Sequence, residues 1–144
     1  MIVSLAQRTS NVTISNTTWT ILTGSTPGRA RVLEIGIFLA AATASAFGLG
    51  RPAANGVTPT TPVDFLPEDP NDVLATGIVQ GALAWGTLPT APTNFLRRIS
   101  LPATIGTGVI WTFPKGLVIP VSGNLVLYNI TATGVADVYA VVDL

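Results

Sequence analysis

Hydrophobic and polar residues alternate at the end of the sequence, and this alternation predicts a β-strand. From Ala136 to Leu144 every second residue is apolar, whereas Asp137, Tyr139 and Asp143 occupy intervening positions. A period of two residues is typical of a strand with one face in the core and the other toward solvent. We therefore predict a half-buried strand over this segment.

Two further runs predict strands with larger buried surfaces. The segment from Leu125 to Ile130 is apolar in both phases, which indicates a strand that is covered on both sides. Earlier in the chain, a third run predicts a core strand whose inward face holds Leu33, Ile35, Ile37 and Leu39.

Turn-forming residues separate such runs about every ten positions, a spacing typical of β-sandwiches and barrels. The chain yields about eight strands in this way. We predict an all-β fold, an eight-stranded antiparallel β-sandwich of the jelly-roll type. Residues 11–144 form its single domain, and residues 1–10 are expected to be an amino-terminal arm or, alternatively, a frayed end.

The segment from Arg51 to Asp72 differs in composition from the rest, because it holds five prolines and four acidic residues. We predict one long acidic, Pro-rich loop without strands of its own, and loops of that length are often functional. Its carboxylates could supply oxygen ligands for calcium, but the spacing is not that of an EF-hand. A solvated turn is the preferred interpretation, and no metal site is predicted.

The composition favours a component of an assembly over a free domain. Only 10% of the residues are charged, 48% are hydrophobic, and seven basic residues balance seven acidic ones. A neutral chain with so few charges is poorly protected against association. The alternative is a soluble monomer whose surface is covered by its Thr, Ser and Asn side chains.

The inventory of side chains excludes several kinds of chemistry. The chain has no Cys and no His, which excludes thiolate or imidazole catalysis and the usual zinc ligands. A hydrolase with paired Asp and Glu residues is the weakest hypothesis, so we predict no enzyme, no catalytic residue and no cofactor. The balanced charge argues against nucleic-acid binding. Pro and Gly interrupt every long uncharged run, so no membrane partner is expected, and no signal peptide is recognised.

Seven residues are candidate assembly contacts. Three belong to the predicted arm, two to the acidic loop and two to a later strand: Ile2, Val3, Leu5, Phe65, Leu66, Arg97 and Arg98. The two adjacent arginines point to opposite faces of a strand. We expect them to form a salt bridge across an interface, with the acidic loop as a candidate partner.

The aromatic residues allow a second function. Five of them could form a platform on which sugars stack: Trp19, Trp85, Trp111, Tyr128 and Tyr139. For the three tryptophans, which are in phase with aliphatic residues, packing in the core is the preferred interpretation.

The end of the chain resembles the closing strands of small jelly-roll proteins of tailed-phage virions. The resemblance is carried by Trp111-Thr-Phe-Pro114, Gly116-Leu-Val-Ile-Pro120, Leu125-Val-Leu-Tyr-Asn129 and Asp137-Val-Tyr-Ala140. It implies a capsid decoration, cement or head-fibre protein, made in the host cytoplasm and located in the virion. It also implies self-association, commonly as a homotrimer, and binding to a major capsid or tail protein. The alternative is a carbohydrate- or receptor-binding β-sandwich of a phage fibre or tail tip.

Overall fold

The structure, a computed structural model, describes residues 1–10, 16–25, 29–131 and 135–144. Within these ranges the chain contains thirteen strands and no helix, and every strand pairing is antiparallel. In chain order the strands are β1 (Ile2–Arg8), β2 (Asn16–Thr23), β3 (Ala30–Leu39), β4 (Ser45–Gly50), β5 (Val57–Thr60), β6 (Val63–Asp64), β7 (Leu66–Pro67), β8 (Val79–Ala82), β9 (Ala84–Thr87), β10 (Arg97–Leu101), β11 (Gly108–Ile119), β12 (Asn124–Thr131) and β13 (Ala136–Asp143).

Two sheets pack face to face around one core. One has the strand order β11-β3-β13-β1-β7, and the other has the order β10-β4-β12-β2-β8-β6. The buried hydrophobic cluster draws side chains from both sheets, including Ile37 and Val142 from the first and Trp19 and Leu127 from the second. The all-β sandwich predicted from the sequence is therefore confirmed.

The strands predicted from the end of the sequence match the structure. Ala136, Val138, Ala140 and Val142 of β13 are all buried, and the residues between them are not. In β12 the whole run from Leu125 to Tyr128 is buried. The inward face of this strand meets the core, and its outward face is covered by another part of the chain, as described below.

One predicted core residue lies elsewhere because β3 contains a bulge. Ile35, Ile37 and Leu39 are buried as expected, but Leu33 is only half-buried and Val32 takes the inward position. Leu33 is the residue skipped in the pairing of β3 with β11 and β13, where Glu34 and Val32 have consecutive partners on β13. An extra residue in one strand reverses the alternation of faces beyond it.

The first ten residues are part of the sheet rather than a separate arm. Strand β1 pairs with β13 along its full length and with β7 on its other side. Val3 is 0% exposed and belongs to the core. The Nε1 of Trp19 donates a hydrogen bond of 2.8 Å to Oε1 of Gln7. The backbone of β1 is therefore bonded to β13 along its length and to β7 at Val3 and Ser4.

The prediction of a long loop without strands is wrong, because the acidic segment holds β5, β6 and β7. With β8 and β9, these make up five short strands between β4 and β10, whereas eight strands were expected in the whole chain. β7 extends the edge of one sheet, while β8 and β6 extend the edge of the other. Phe65, between β6 and β7, is 1% exposed and joins the core.

The remaining short strands, β5 and β9, form a separate ribbon that packs on the outer side of the six-stranded sheet. Nε1 of Trp85 on the ribbon donates a hydrogen bond of 3.2 Å to Oγ1 of Thr20 on β2. The Tyr128 hydroxyl on β12 donates one of 3.0 Å to the carbonyl oxygen of Thr90. The segment between β4 and β10 therefore covers the outer face of this sheet, which explains why β12 is buried on both sides. Burial raises the pKa of the Tyr128 phenol.

Candidate functional site

The outer face of the five-stranded sheet, unlike that of the other sheet, is open to solvent. We call it the open face, and its outward side chains include Ala6, Phe38, Leu66, Ile110, Tyr139 and Val141. Ile110 is 51% exposed and Leu66 is 66% exposed. These two residues lie on the terminal strands β11 and β7, with half-buried apolar side chains between them, and exposed apolar residues on one sheet face are typical of a surface that meets a partner.

Tyr139 lies at the middle of the open face, on β13 opposite Gly36 of β3. Its ring fills the space above Gly36, since a Cβ placed there would lie 2.0 Å from Cε1 of the tyrosine. The hydroxyl donates a hydrogen bond of 2.5 Å to Oε1 of Glu34. This bond to a carboxylate, followed by partial burial, raises the pKa of Tyr139 to about 12. The tyrosine is therefore held in one position by a glycine below it and a carboxylate beside it.

Two ion pairs neutralise the charges at the margins of the open face. Arg8 donates hydrogen bonds of 2.7 and 2.9 Å to the two carboxylate oxygens of Asp137. The bond lowers the pKa of the Asp137 carboxyl and raises the pKa of the Arg8 guanidinium. The amino-terminal ammonium of Met1 lies 3.4 Å from Oδ1 of Asp143. These charges are satisfied within the chain.

Basic residues gather at one lateral edge of the sandwich, where β10 and β11 are the outermost strands. We call this the basic edge and define it by five exposed residues: Arg31, Arg51, Arg97, Arg98 and Lys115. A shallow groove of about 400 Å³ lies there, lined by Arg97, Phe113 and Lys115 among others. The guanidinium carbon of Arg97 is 5.3 Å from the centre of the Phe113 ring, a distance at which a cation attracts an aromatic face.

Acidic residues gather at the opposite lateral edge, after β7. We call this the acidic edge and define it by the exposed residues Glu68, Asp69 and Asp72. The backbone nitrogen of Glu68 donates a hydrogen bond of 3.0 Å to the carbonyl oxygen of Ile2, which attaches the segment to β1. Oδ1 of Asp69 accepts a hydrogen bond of 2.9 Å from the backbone nitrogen of Asn71. The turn is therefore fixed, and its carboxylates face solvent.

The structure separates the seven candidate contacts into buried and accessible residues. Val3 and Phe65 are 0% and 1% exposed, so neither can reach a partner while the chain is folded. Both predictions fail because these side chains point between the sheets. Leu5 packs against the core, and Ile2 is half-buried. Leu66, Arg97 and Arg98 are exposed and stay predicted contacts.

Sequence reasoning missed Ile110 and Lys115 as candidate contacts. Ile110 lies in an apolar run of the sequence that does not distinguish exposed from buried positions. Its pairing with Gly36 shows that it points outward. Lys115 comes beside Arg97 because β10 and β11 meet at one edge of the sandwich, lining one groove. The proximity of these two charges depends on how the strands pair, and the spacing of the two residues in the sequence does not reveal it.

The five aromatic candidates for a sugar platform do not lie together on one surface. Trp19 is 1% exposed and belongs to the core, as preferred for the tryptophans, whereas Tyr128 is 1% exposed under the segment that covers the outer face of the six-stranded sheet. Trp85 and Trp111 are half-buried, the former against Gly56 of the loop before the ribbon. Of the five, Tyr139 is the one that lies on the open face.

The part of the chain that the structure describes offers neither a cluster of metal ligands nor a membrane-spanning helix. Among those residues, no group of three or more potential ligands is close enough to hold a metal ion. Oδ1 of Asp64, from the acidic segment, instead accepts hydrogen bonds of 2.9 Å from the Gly77 backbone and the Gln80 side chain. The described ranges also contain no helix that is long and apolar enough to cross a membrane.

No family model, no curated protein and no solved structure matches the chain.

Proposed function

We propose that the chain is a structural protein of a virion, an accessory component of the decoration or cement type that self-associates and attaches to a particle surface. The observation that carries this proposal is that the outer face of one sheet is covered by the chain and the outer face of the other is not. The segment between β4 and β10 covers the outer face of one sheet, while the open face of the other keeps Ile110 and Leu66 exposed. Among the described residues, one segment covers the outer face of the six-stranded sheet, and none covers that of the five-stranded sheet.

The order of strand pairing supports the jelly-roll part of the proposal. Among the eight strands of five residues or more, the first pairs with the last, β1 with β13, and the second pairs with the seventh, β2 with β12. The third pairs with the sixth, β3 with β11, and the fourth pairs with the fifth, β4 with β10. A chain that pairs in this nested way is one long hairpin rolled into two sheets. Jelly rolls occur in viral capsid proteins and in lectins.

The open face suits attachment to a preformed surface. Arg8 and Asp137 on this face are paired with each other, so a partner can cover that pair without leaving a lone charge buried, and the Glu34 carboxylate accepts a hydrogen bond from Tyr139. Its centre carries apolar side chains and a tyrosine, the kind of residue that is enriched at interface cores. We assign this face to the contact with a major capsid or tail protein.

The first test is the state of association of the purified protein, measured by light scattering at micromolar concentrations. We expect an oligomer, and a monomer throughout this range would overturn the proposal of self-association.

Cosedimentation with virus particles tests attachment separately. We expect Ile110→Lys to abolish binding, because it replaces an exposed apolar side chain of the open face by a charge. Val57→Lys is the matched control, since Val57 is 61% exposed and lies on the ribbon, away from this face. Equal binding by both variants would contradict the assignment of the open face.

The position of Tyr139 favours a carbohydrate-binding module as the second candidate. An aromatic ring beside the carboxylate of Glu34 combines a stacking surface with a hydrogen-bond acceptor, which is what sugar recognition requires. A glycan array would decide this candidate. Binding that is lost in Tyr139→Ala would favour it over attachment to a particle, and an empty array would remove it.

A further inference from the structure

The net charge of zero conceals a separation of charge across the molecule. The basic edge holds five of the seven basic residues, and the acidic edge holds three of the seven acidic ones. In the five-stranded sheet, β11 and β7 are the two terminal strands. Four inter-strand spacings of about 4.8 Å put these strands about 19 Å apart. This distance is about twice the Debye length in physiological salt, so the two edges do not neutralise each other.

The arginines of the basic edge contact carbonyl oxygens and an aromatic ring. These neutral groups hold the side chains in place without neutralising their charges. Nη1 of Arg51 donates a hydrogen bond of 2.6 Å to the carbonyl oxygen of Val118, and Nη1 of Arg97 donates one of 2.8 Å to that of Leu96. The guanidinium carbon of Arg98 lies 5.8 Å from the centre of the Phe95 ring. Within the described ranges the ion pairs involve Arg8 and the amino terminus, and none involves either edge.

Each edge also presents apolar surface beside its charges. At the acidic edge Val73 is 87% exposed, and Leu66, where the open face adjoins this edge, is 66% exposed. At the basic edge, Leu96 is 39% exposed next to Arg97. An interface needs an apolar centre with a complementary charged rim, and the two edges together supply both parts.

We propose that copies of this chain associate head to tail, with the basic edge of one copy against the acidic edge of the next. The proposal rests on the self-association proposed above and names the surfaces that produce it. Two basic edges repel each other, as do two acidic edges, so a twofold contact through one edge is disfavoured. A contact between two different surfaces produces a closed ring if its rotation closes, or a filament if it does not.

This arrangement agrees with the use of the open face for attachment. In a ring that is closed by lateral contacts about an axis perpendicular to the sheets, every copy presents its open face on the same side of the assembly. A ring therefore meets a particle through several identical contacts at once, which raises its apparent affinity above that of one copy.

The test begins with neutral variants of one edge and a control of equal charge. The acidic-edge variant carries Glu68→Gln, Asp69→Asn and Asp72→Asn, and Asn at position 69 keeps the oxygen that accepts from Asn71. The net charge of this variant changes by three. The control carries Thr60→Lys, Ala84→Lys and Thr87→Lys at exposed positions of the ribbon, and its net charge also changes by three. Sedimentation velocity should show a dissociation constant that is raised about tenfold or more in the edge variant and unchanged in the control.

Charge reversal gives a sharper test, because the combined variant should restore association. The set Glu68→Lys, Asp69→Lys and Asp72→Lys makes the acidic edge basic, and the set Arg97→Glu, Arg98→Glu and Lys115→Glu changes the basic edge from five positive charges to a net charge of minus one, because Arg31 and Arg51 remain. Either set alone gives a chain whose edges have the same sign and which should be monomeric. The chain with both sets has a net charge of zero and edges of opposite sign again, so it should recover association. A mixture of the two single-edge variants should form assemblies with an even number of copies and no closed trimer.

The outcomes distinguish this proposal from the one on which it rests. If the original protein is a monomer, the proposed self-association fails, and the head-to-tail contact fails with it. If it is an oligomer whose dissociation constant does not respond to neutralisation or reversal of either edge, only the head-to-tail contact is overturned. Loss of association in both single-edge reversals, with recovery in the combined variant, supports the contact between edges. Circular dichroism melting curves verify that each variant folds.

Discussion

Replacing Val3 by Ala tests whether the beginning of the chain belongs to the core. Val3 is 0% exposed, pairs with Val142 on β13 and faces the core, whereas its neighbour Ile2 is half-buried on the open face. If residues 1–10 were an arm, neither side chain would contribute to the stability of the domain. In the structure only Val3 is enclosed by both sheets, so the two substitutions should have different effects.

The expected magnitude follows from the atoms removed. Val3→Ala deletes two carbons from a fully enclosed site, at about 0.8 kcal/mol for each buried carbon. The cavity that remains adds to this, so the free energy of unfolding should fall by about 2 kcal/mol. For a domain of this size that loss lowers the Tm by about 4–8 °C. Ile2→Ala deletes more carbon atoms from a half-exposed site and should cost about half as much or less.

Chemical denaturation monitored by tryptophan fluorescence measures both variants. Trp19 is 1% exposed and its indole is bonded to Gln7 on β1, so its emission should report directly on the loss of this strand. All samples must have the same protein concentration, because self-association also stabilises the folded state. A change of less than about 0.5 kcal/mol in Val3→Ala, the range typical of surface positions, would refute the placement of β1.

Three further predictions concern the acidic segment, the ribbon and the open face. Phe65→Ala should lower the free energy of unfolding by about 3–5 kcal/mol in denaturant titrations, whereas Leu66→Ser should leave it nearly unchanged, because only the former is enclosed. Trp85→Leu should accelerate hydrogen exchange in β5 and β9 without accelerating it in β13, since the indole bond attaches the ribbon. The stabilisation linked to the raised pKa of Tyr139 should be complete below pH about 10 and be lost as the pH rises through about 12. Glu34→Gln should shift the absorbance titration of this tyrosine to lower pH, and an unchanged titration would contradict the role of the carboxylate.

The strands near the end of the chain were predictable because their pattern is strictly local. In β13 the alternation of Val138, Tyr139 and Ala140 directly determines which side chains enter the core. The same reasoning failed at Leu33, where a bulge in β3 shifts the alternation by one residue. A bulge is defined by how two strands pair, so a pattern along one strand cannot reveal it.

The candidate surfaces were only partly predictable for the same reason. The sequence showed that Arg97 and Arg98 are exposed charges in need of partners, and that the acidic segment is unusual. It did not show that they lie at opposite edges of one sandwich, because that depends on β11 and β7 being the terminal strands of a sheet. It also assigned Val3 and Phe65 to contacts, although both are enclosed by residues from distant parts of the chain.

The sequence by itself determined that this chain folds into antiparallel strands around one apolar core and that it has few charges with which to cover its surface. Period-two alternation and composition are properties of neighbouring residues and of totals, and both can be read directly. Only the tertiary structure decided which sheet face is covered, which is open and how the charges divide between two edges. Those features arise from pairings between residues far apart in the chain, and the sequence contains no local record of them.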